Sequence, residues 1–149
     1  MTLCQSEFLD IVRLTPLISI DLVIRSGENT LLGLRSNRPA RDTWFVPGGR
    51  IRKDESFADA FRRLTEVELG REVAIDSATF LGHYEHFYED NVGGTDFSTH
   101  YVVLAYELEF SEDEDLPASQ HRDWRWWSPE ELLACDDVHE NTKAYFRGR

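Results

Sequence analysis

Glu68 is a carboxylate that the sequence places on the buried face of a predicted helix. At 100° per residue, positions 57, 61, 64 and 68 fall in one stripe, and the first three are apolar: Phe57, Phe61 and Leu64. A carboxylate on a buried face is destabilising unless it is paired or binds a metal ion. Glu68 is therefore a candidate metal ligand, although one turn from the helix end it could instead reach solvent.

A run of basic residues in an acidic chain is the second chemical feature. The 149 residues include 16 Lys and Arg against 28 Asp and Glu, which gives a formal net charge of −12. Between Gly33 and Lys53, however, Asp42 is the only acid. This segment is either a solvated surface run or a local pocket for a small, multiply charged anion. The basic residues are Arg35, Arg38, Arg41, Arg50, Arg52 and Lys53.

Composition argues against several classes of protein. A strongly acidic chain is a poor partner for nucleic acid, because phosphate binding needs a basic face. No apolar stretch approaches the roughly 20 residues that span a bilayer, and the N-terminus lacks the features of a secretory signal. Cys4 and Cys135 have no metal-ligand spacing, which favours reduced thiols in a cytoplasmic protein. The length suits one domain, residues 1–149, around a single core.

The helix that carries Glu68 needs defined ends to hold that side chain in place. It is predicted over about residues 55–69, with Asp54 or Ser56 as N-cap and Gly70 as a left-handed C-cap. Ala60 and Val67 flank its apolar stripe.

The remaining elements are those of a mixed α/β chain. Ser6 is predicted to cap a short helix that ends near Arg13. Alternating apolar residues predict a hairpin of strands over 17–25 and 30–35, then strands over 80–88, 101–110 and 124–127. An irregular loop is predicted over 36–43, and short helices are predicted from Pro129 and over about 140–146.

The segment around the predicted helix resembles the Nudix box, G-x5-E-x7-R-E-U-x-E-E-x-G-U. Leu64 and Val67 stand where the box has two of its glutamates, and Arg71 stands where it ends on an apolar residue. The five residues in register with the box are Gly49, Glu55, Arg63, Glu68 and Gly70.

One branch of the family, the GDP-mannose mannosyl hydrolases, lacks the same two box carboxylates, and this sequence resembles that branch. The resemblance to this branch extends over nearly the whole chain, so it does not depend on the box alone. The similar segments outside the helix are residues 15–17, 37–40, 44–50, 53–55, 86–88, 94–97, 99–104, 120–121, 138–139 and 144–146.

The resemblance implies a fold and a reaction. The fold would be the Nudix α/β/α sandwich, with a mixed β-sheet between helices, in a homodimer. The reaction would be Mg²⁺-dependent hydrolysis of GDP-mannose, or of GDP-glucose, to GDP and the free hexose. Water would attack C1 of the sugar with inversion, and a metal-bound diphosphate needs no separate general acid to leave. Mn²⁺ could replace Mg²⁺, since both ions accept oxygen-rich sites.

The resemblance also implies which residues bind the metal ion and activate water. The Gly48 carbonyl, the Glu68 carboxylate and the Gln120 amide oxygen would be three protein ligands, of the hard type that Mg²⁺ prefers. His121 would be the general base, for which an imidazole of intrinsic pKa near 6.5 is well suited. Taken alone, Gln120 and His121 could equally be ordinary loop residues.

Three arginines match the residues that neutralise the leaving diphosphate, since planar guanidinium groups suit phosphate oxygens. They are Arg35, which would also bind substrate, Arg50 and Arg63. An ion pair with Glu55 is an alternative role for Arg63, and the two roles are compatible.

Five further residues match positions near the site. Asp21 lies among apolar residues in a predicted strand, so its carboxylate needs a partner or a function. His86 and Tyr101 could be ordinary strand residues. Leu3 and Phe8, from the neighbouring subunit, would cover the guanine base, although Phe8 could instead pack in the core.

Two other functions compete with the sugar hydrolase. A Nudix pyrophosphohydrolase would attack phosphorus and release GMP and a sugar phosphate. It would need more carboxylates for further metal ions, and Leu64 and Val67 count against it. A non-catalytic nucleotide-sugar sensor is disfavoured because both Glu68 and His121 are present.

Overall fold

A computed structural model describes residues 3–114, 116 and 121–148, with only the backbone described at 121 and 122. The described elements are a mixture of strands and helices, as the sequence predicts. In chain order they are α1 (Gln5–Leu14), β1 (Leu17–Ser26), β2 (Asn29–Arg35), β3 (Trp44–Phe45), β4 (Gly48–Arg50), α2 (Phe57–Leu69), a 3₁₀ turn (Ile75–Ser77), β5 (Thr79–Tyr88), β6 (Thr99–Glu109), β7 (His121–Trp127), α3 (Pro129–Ala134) and α4 (Glu140–Lys143).

Strand β1 is the centre of a mixed sheet. One edge of β1 pairs in parallel with β6, and β5 pairs antiparallel with the far edge of β6. The other edge of β1 pairs antiparallel with β4 and, next to the hairpin turn, with β2. Strand β2 then diverges and pairs with β3 and β7. Strands β2 and β4 therefore lie on one side of β1, and β5 and β6 lie on the other.

The two faces of the sheet are covered by different helices. Ile20, Leu22 and Ile24 of β1 pack with α2 on one face, whereas Val23 packs on the other face with Leu132 of α3 and the residues that follow α4. Burial on both faces explains the nearly continuous apolar run of β1. The predicted sandwich of a mixed sheet between helices is confirmed.

Two apolar residues near the ends of helix α2 are more exposed than the helical pattern predicts. Phe57 is 57% exposed because it is the first residue of the helix, and Val67, which lies off the centre of the stripe, is 56% exposed. Ser56 is the N-cap, and its hydroxyl accepts from the Asp59 amide at 3.1 Å. Gly70 has a φ of 84°, which confirms the predicted left-handed cap.

Three other local predictions were incomplete or wrong. Helix α1 begins at Gln5 after Cys4, so Ser6 is not its N-cap. Helix α4 ends at Lys143, several residues earlier than predicted. Strands β3 and β4 were not predicted because two or three residues are too short to show a period.

The described helices are all too short or too polar to cross a membrane.

Candidate active site

The Gly48-Gly49 pair allows strand β4 to lie against helix α2. A Cβ on Gly49 would be 2.6 Å from Cδ2 of Leu64, and a Cβ on Gly48 would collide with the carbonyl oxygen of Ile20. Leu64 and Glu68 share the buried stripe of α2. Gly49 therefore lets strand β4 lie against the side of α2 that carries Glu68, and Gly48 lets the same strand lie close to the backbone of β1.

Replacing Gly49 with Ala is expected to destabilise the protein by about 1–3 kcal/mol, the usual cost of forcing a methyl group into a packed core. The added Cβ would have to displace Leu64. Urea unfolding measures this loss, with Gly94→Ala as the matched control, because a Cβ there has its nearest neighbour at 3.8 Å. Equal stability of the two variants would contradict the close contact.

Glu68 is the buried carboxylate that the helical stripe predicts. It is 3% exposed, so the alternative in which it reaches solvent is wrong. A buried carboxylate and a backbone carbonyl such as that of Gly48 are hard oxygen donors that suit Mg²⁺. The third predicted ligand, Gln120, lies outside the described residues. Among the described side chains, His, Cys, Asp and Glu do not gather in any group of three that could hold a metal ion.

Arg63 makes the ion pair that the sequence left open. Its Nε and Nη2 donate to the two carboxylate oxygens of Glu55, each at 2.8 Å, and Nη2 also donates to the Arg50 carbonyl at 2.9 Å. This two-pronged contact joins α2 to strand β4 and to the loop between them. Arg63 therefore holds Arg50 in place through its backbone, and its direct role toward a diphosphate stays a prediction.

The Glu55–Arg63 pair gives a pH-dependent prediction. The Arg63 hydrogen bonds lower the pKa of Glu55 from 4.5 to about 2. A lowered pKa in the folded state contributes stability above pH 4.5, which is lost as pH falls from 4.5 toward 2. The free energies of unfolding of wild type and Glu55→Gln should therefore differ most near neutral pH and converge over that range. A difference that stays constant down to pH 3 would contradict the assignment.

A cavity of about 190 Å³ opens beside strand β4. This volume is below the roughly 300–1,000 Å³ of sites that hold a drug-sized ligand, so the cavity has room for one part of such a ligand. Seven of the predicted site residues line it: Phe8, Asp21, Arg35, Gly48, Arg50, His86 and Tyr101. The other lining residues are Ser19, Pro39, Phe45, Val46, Gly49 and Tyr88.

The basic run of the sequence divides between the cavity and the surface. Arg35 and Arg50 line the cavity, and the Nε of Arg35 donates to the Pro39 carbonyl at 3.0 Å. Arg38 instead pairs with Asp90 at 3.1 Å. The other members, Arg41, Arg52 and Lys53, are exposed, as the surface interpretation predicts. Two of the six cations thus line the cavity, and its binding of an anion stays a prediction.

Arg50 also meets the N-terminal helix. Its guanidinium carbon lies 5.0 Å from the centre of the Phe8 ring, a cation–π distance. Burial lowers the pKa of Arg50, and the neighbouring charge of Arg52 adds to this effect. Leu3 lies outside the main cavity and lines an adjacent hollow that also contacts Arg50. The single chain therefore places Phe8 at the cavity, and Leu3 next to it.

Asp21 and His86 are linked by a buried tyrosine that was not among the predicted site residues. The Tyr145 hydroxyl donates to Oδ2 of Asp21 at 2.5 Å and lies 3.4 Å from Nε2 of His86. Burial raises the pKa of Asp21 to about 7, against the Tyr145 hydrogen bond and the Arg35 charge, which lower it. Burial, with the nearby His139, lowers the pKa of His86 to about 4, so His86 is a neutral imidazole at pH 7.

Two further tyrosines belong to the uncharged part of the cavity wall. Burial raises the pKa of Tyr88 and of Tyr101, so both hydroxyls are neutral hydrogen-bonding groups. The Tyr88 ring packs against Phe45, His86 and Tyr101 with centroids 6.3–6.5 Å apart. Tyr88 and Tyr145 lie in segments that carry the family resemblance, and this was the one signal in the sequence that pointed to them.

The backbone brings His121 to the same edge of the site. In the β2–β7 ladder His121 pairs with Arg35, next to an irregularity in register after Gly33. The predicted base thus belongs to the strand position opposite a cavity-lining arginine. Its side chain lies outside the described part of the structure, and its role stays a prediction.

Comparison with known proteins identifies the family. Residues 15–147 match the NUDIX domain, so the chain belongs to the Nudix family of hydrolases. Nudix hydrolases generally use divalent metal ions such as Mg²⁺. The chain is also similar to the low-salt glycan biosynthesis protein Agl8 of Haloferax volcanii. The two are 44% identical over 126 residues, which cover 84% of this chain and 79% of the relative.

Solved structures agree with this fold. A MutT NUDIX hydrolase from Burkholderia pseudomallei has a TM-score of 0.69 at 23% identity, over 89% of this chain and 96% of that one. A MutT protein from Methanosarcina mazei Go1 has a TM-score of 0.68 at 20% identity, over 88% of this chain and 91% of that one. At these identities the likeness concerns the fold alone.

Proposed function

We propose that this Nudix hydrolase converts a GDP-linked hexose, GDP-mannose or GDP-glucose, to GDP and the free hexose. The proposal takes residues 1–149 as one catalytic domain that acts as a homodimer. A nucleotide-sugar substrate also agrees with the 44% identity to a relative named for glycan biosynthesis, because activated sugars are the precursors of glycans.

One observation carries the proposal: cationic side chains and neutral polar side chains reach the same cavity from strands on opposite sides of β1. Arg35 and Arg50 come from β2 and β4, on one side of strand β1. His86, Tyr88 and Tyr101 come from β5 and β6, on the other side. Cations suit a diphosphate, whereas neutral hydrogen-bonding and aromatic groups suit a sugar ring.

Asp21 lies on β1 between these two sides, which is where the diphosphate of a GDP-hexose would join the sugar. The arginines would donate hydrogen bonds to phosphate oxygens and hold the leaving group. Asp21 and the neutral groups beyond it would bind the sugar hydroxyls and fix C1 for attack.

The residues available for a metal ion fit the same reaction. Gly48 and Glu68, with Gln120, would hold Mg²⁺ or Mn²⁺, which when bound neutralises charge on the leaving diphosphate. Leu64 and Val67 replace two glutamates of the box, so neither position supplies a carboxylate for a second metal ion. Leu64 is buried in apolar surroundings, and Val67 lies on the exposed side of α2. This favours attack at carbon over the pyrophosphohydrolase reaction.

His121 would act as the general base. Its imidazole would take a proton from water while the water oxygen bonds to C1, and the C1–O bond would break with its electron pair leaving on the diphosphate. The anomeric configuration inverts, because water and diphosphate occupy opposite faces of C1.

Hydrolysis of GDP-mannose with Mg²⁺ in H₂¹⁸O tests the proposal. We expect unlabelled GDP and free mannose, formed first as the β-anomer from the α-linked substrate. Unlabelled GDP is the decisive product, since free mannose exchanges its C1 oxygen with water. Label in GMP or in mannose phosphate would establish attack at phosphorus, and the absence of any product would favour the sensor.

A further inference from the structure

We propose that Tyr145 is a positioning residue of this site, whose buried hydroxyl donates to Asp21 and accepts from His86. It thereby fixes a carboxylate and an imidazole on the cavity wall for the hydroxyl groups of a sugar. The inference rests on the proposed function for the identity of the sugar, but the hydrogen-bonded chain itself does not depend on it.

Burial makes the Tyr145 hydroxyl dependent on these two partners. Tyr145 is 1% exposed and does not line the cavity, so it reaches a ligand only through other side chains. Its oxygen lies 2.5 Å from Oδ2 of Asp21 and 3.4 Å from Nε2 of His86, both of which line the cavity. One hydroxyl therefore bridges two strands, β1 and β5, that are separated by β6.

Hydrogen counting sets the direction of the chain. A tyrosine hydroxyl has one hydrogen, and when Asp21 is ionised and can only accept, that hydrogen is donated to its carboxylate. Toward His86 the same oxygen must then accept, which requires the hydrogen of the neutral ring to be on Nε2. Nδ1 is left as the acceptor of the ring. The chain therefore runs from His86 Nε2, which donates, through Tyr145 Oη, which accepts and donates, to Asp21 Oδ2, which accepts.

The rest of the surroundings keeps this chain rigid. The Tyr145 ring meets Tyr84 edge-on, with centroids 4.6 Å apart, and the His86 ring meets Phe45 edge-on at 5.9 Å. Neither ring can turn without displacing packed neighbours. Tyr145 thus orients both Asp21 and His86, as residues that lie behind a binding site usually do through supporting hydrogen bonds.

The ¹⁵N NMR spectrum of the protein, labelled in histidine, tests the chain without any substrate. We expect His86 to show a protonated Nε2 and an unprotonated Nδ1 at pH 9, where Asp21 is ionised. In Tyr145→Phe, which keeps the ring and removes the hydroxyl, the two nitrogens should move toward averaged signals. A protonated Nδ1 in the wild-type protein would overturn the inference.

Kinetics test the positioning role through a double-mutant cycle with Asp21→Asn. Tyr145→Phe should lower kcat/KM for GDP-mannose about tenfold, the size of one hydrogen bond to a charged group, and leave inhibition by GDP unchanged. In the Asp21→Asn background the same change should have a clearly smaller effect, because the hydrogen bond to Asp21 has already been altered and the contact with His86 alone remains to be lost. Equal effects in both backgrounds would overturn the inference.

Tyr84→Phe is the matched control, since it removes a neighbouring tyrosine hydroxyl whose ring packs on Tyr145. It should keep kcat/KM within twofold of wild type. If the wild-type protein hydrolyses no GDP-hexose, the proposed function fails, and the NMR measurement alone decides on Tyr145.

Discussion

Glu68→Gln is expected to lower kcat/KM for GDP-mannose by about 10³-fold, which is the typical loss when charge stabilisation at a leaving group is removed. The substitution keeps the size of the side chain and one oxygen donor, but it removes the only negative charge among the three predicted protein ligands. Glu68 is buried on the face of α2 that contacts strand β4, so a new ligand cannot reach the same position from solvent.

Metal binding gives a second measurement for Glu68. A metal ion that binds only the folded state raises the midpoint of thermal unfolding, and the shift grows with ion concentration. Mg²⁺ should raise the midpoint of the wild-type protein and have little effect on Glu68→Gln. Glu66→Gln, an exposed position on the same helix, is the matched control and should behave as wild type. An unchanged Mg²⁺ response in Glu68→Gln would exclude Glu68 as a ligand.

His121→Gln is expected to lower kcat by about 10²–10⁴-fold, the usual contribution of a general base. Affinity for GDP should remain, because the predicted role concerns the water and not the nucleotide. Steady-state kinetics and calorimetric titration with GDP separate these two quantities. An enzyme loses turnover and keeps affinity, whereas a sensor has no turnover to lose.

His83→Gln is the control for His121, because His83 is exposed on β5 and does not line the cavity. It should retain the wild-type rate. If His121→Gln also retains that rate, another group activates the water, and the assignment taken from the family resemblance is wrong for this chain.

The sequence predicts best the features that depend on one helix alone, such as the direction of a side chain and the position of a cap. The position of Glu68 on the buried face follows from helical periodicity, and the cap at Gly70 follows from backbone conformation. The exposure of Phe57 could not be predicted in this way, since periodicity gives the direction of a side chain but not whether a neighbour covers it. Helix ends are therefore where the helical prediction fails.

The site itself needed more than local patterns. Arg35, Arg50 and Asp21 were identified from charge, position in a strand and family resemblance, and the structure brings them to one cavity. The basic run could not show that Arg38 would pair with Asp90 instead, because that contact depends on a loop 52 positions away. Tyr145 was missed for the same reason, since its partner Asp21 lies in the first strand.

The contact between Tyr145 and Asp21 has a kinetic consequence. It joins residues 124 positions apart, and the parallel pairing of β1 with β6 also links distant parts of the chain. Closing such long loops costs entropy before any contact compensates for it, so these pairings slow folding. The hairpin of β1 and β2 and the helix α2 can form early from local contacts. The cavity, in contrast, cannot take its final shape until these distant contacts have formed.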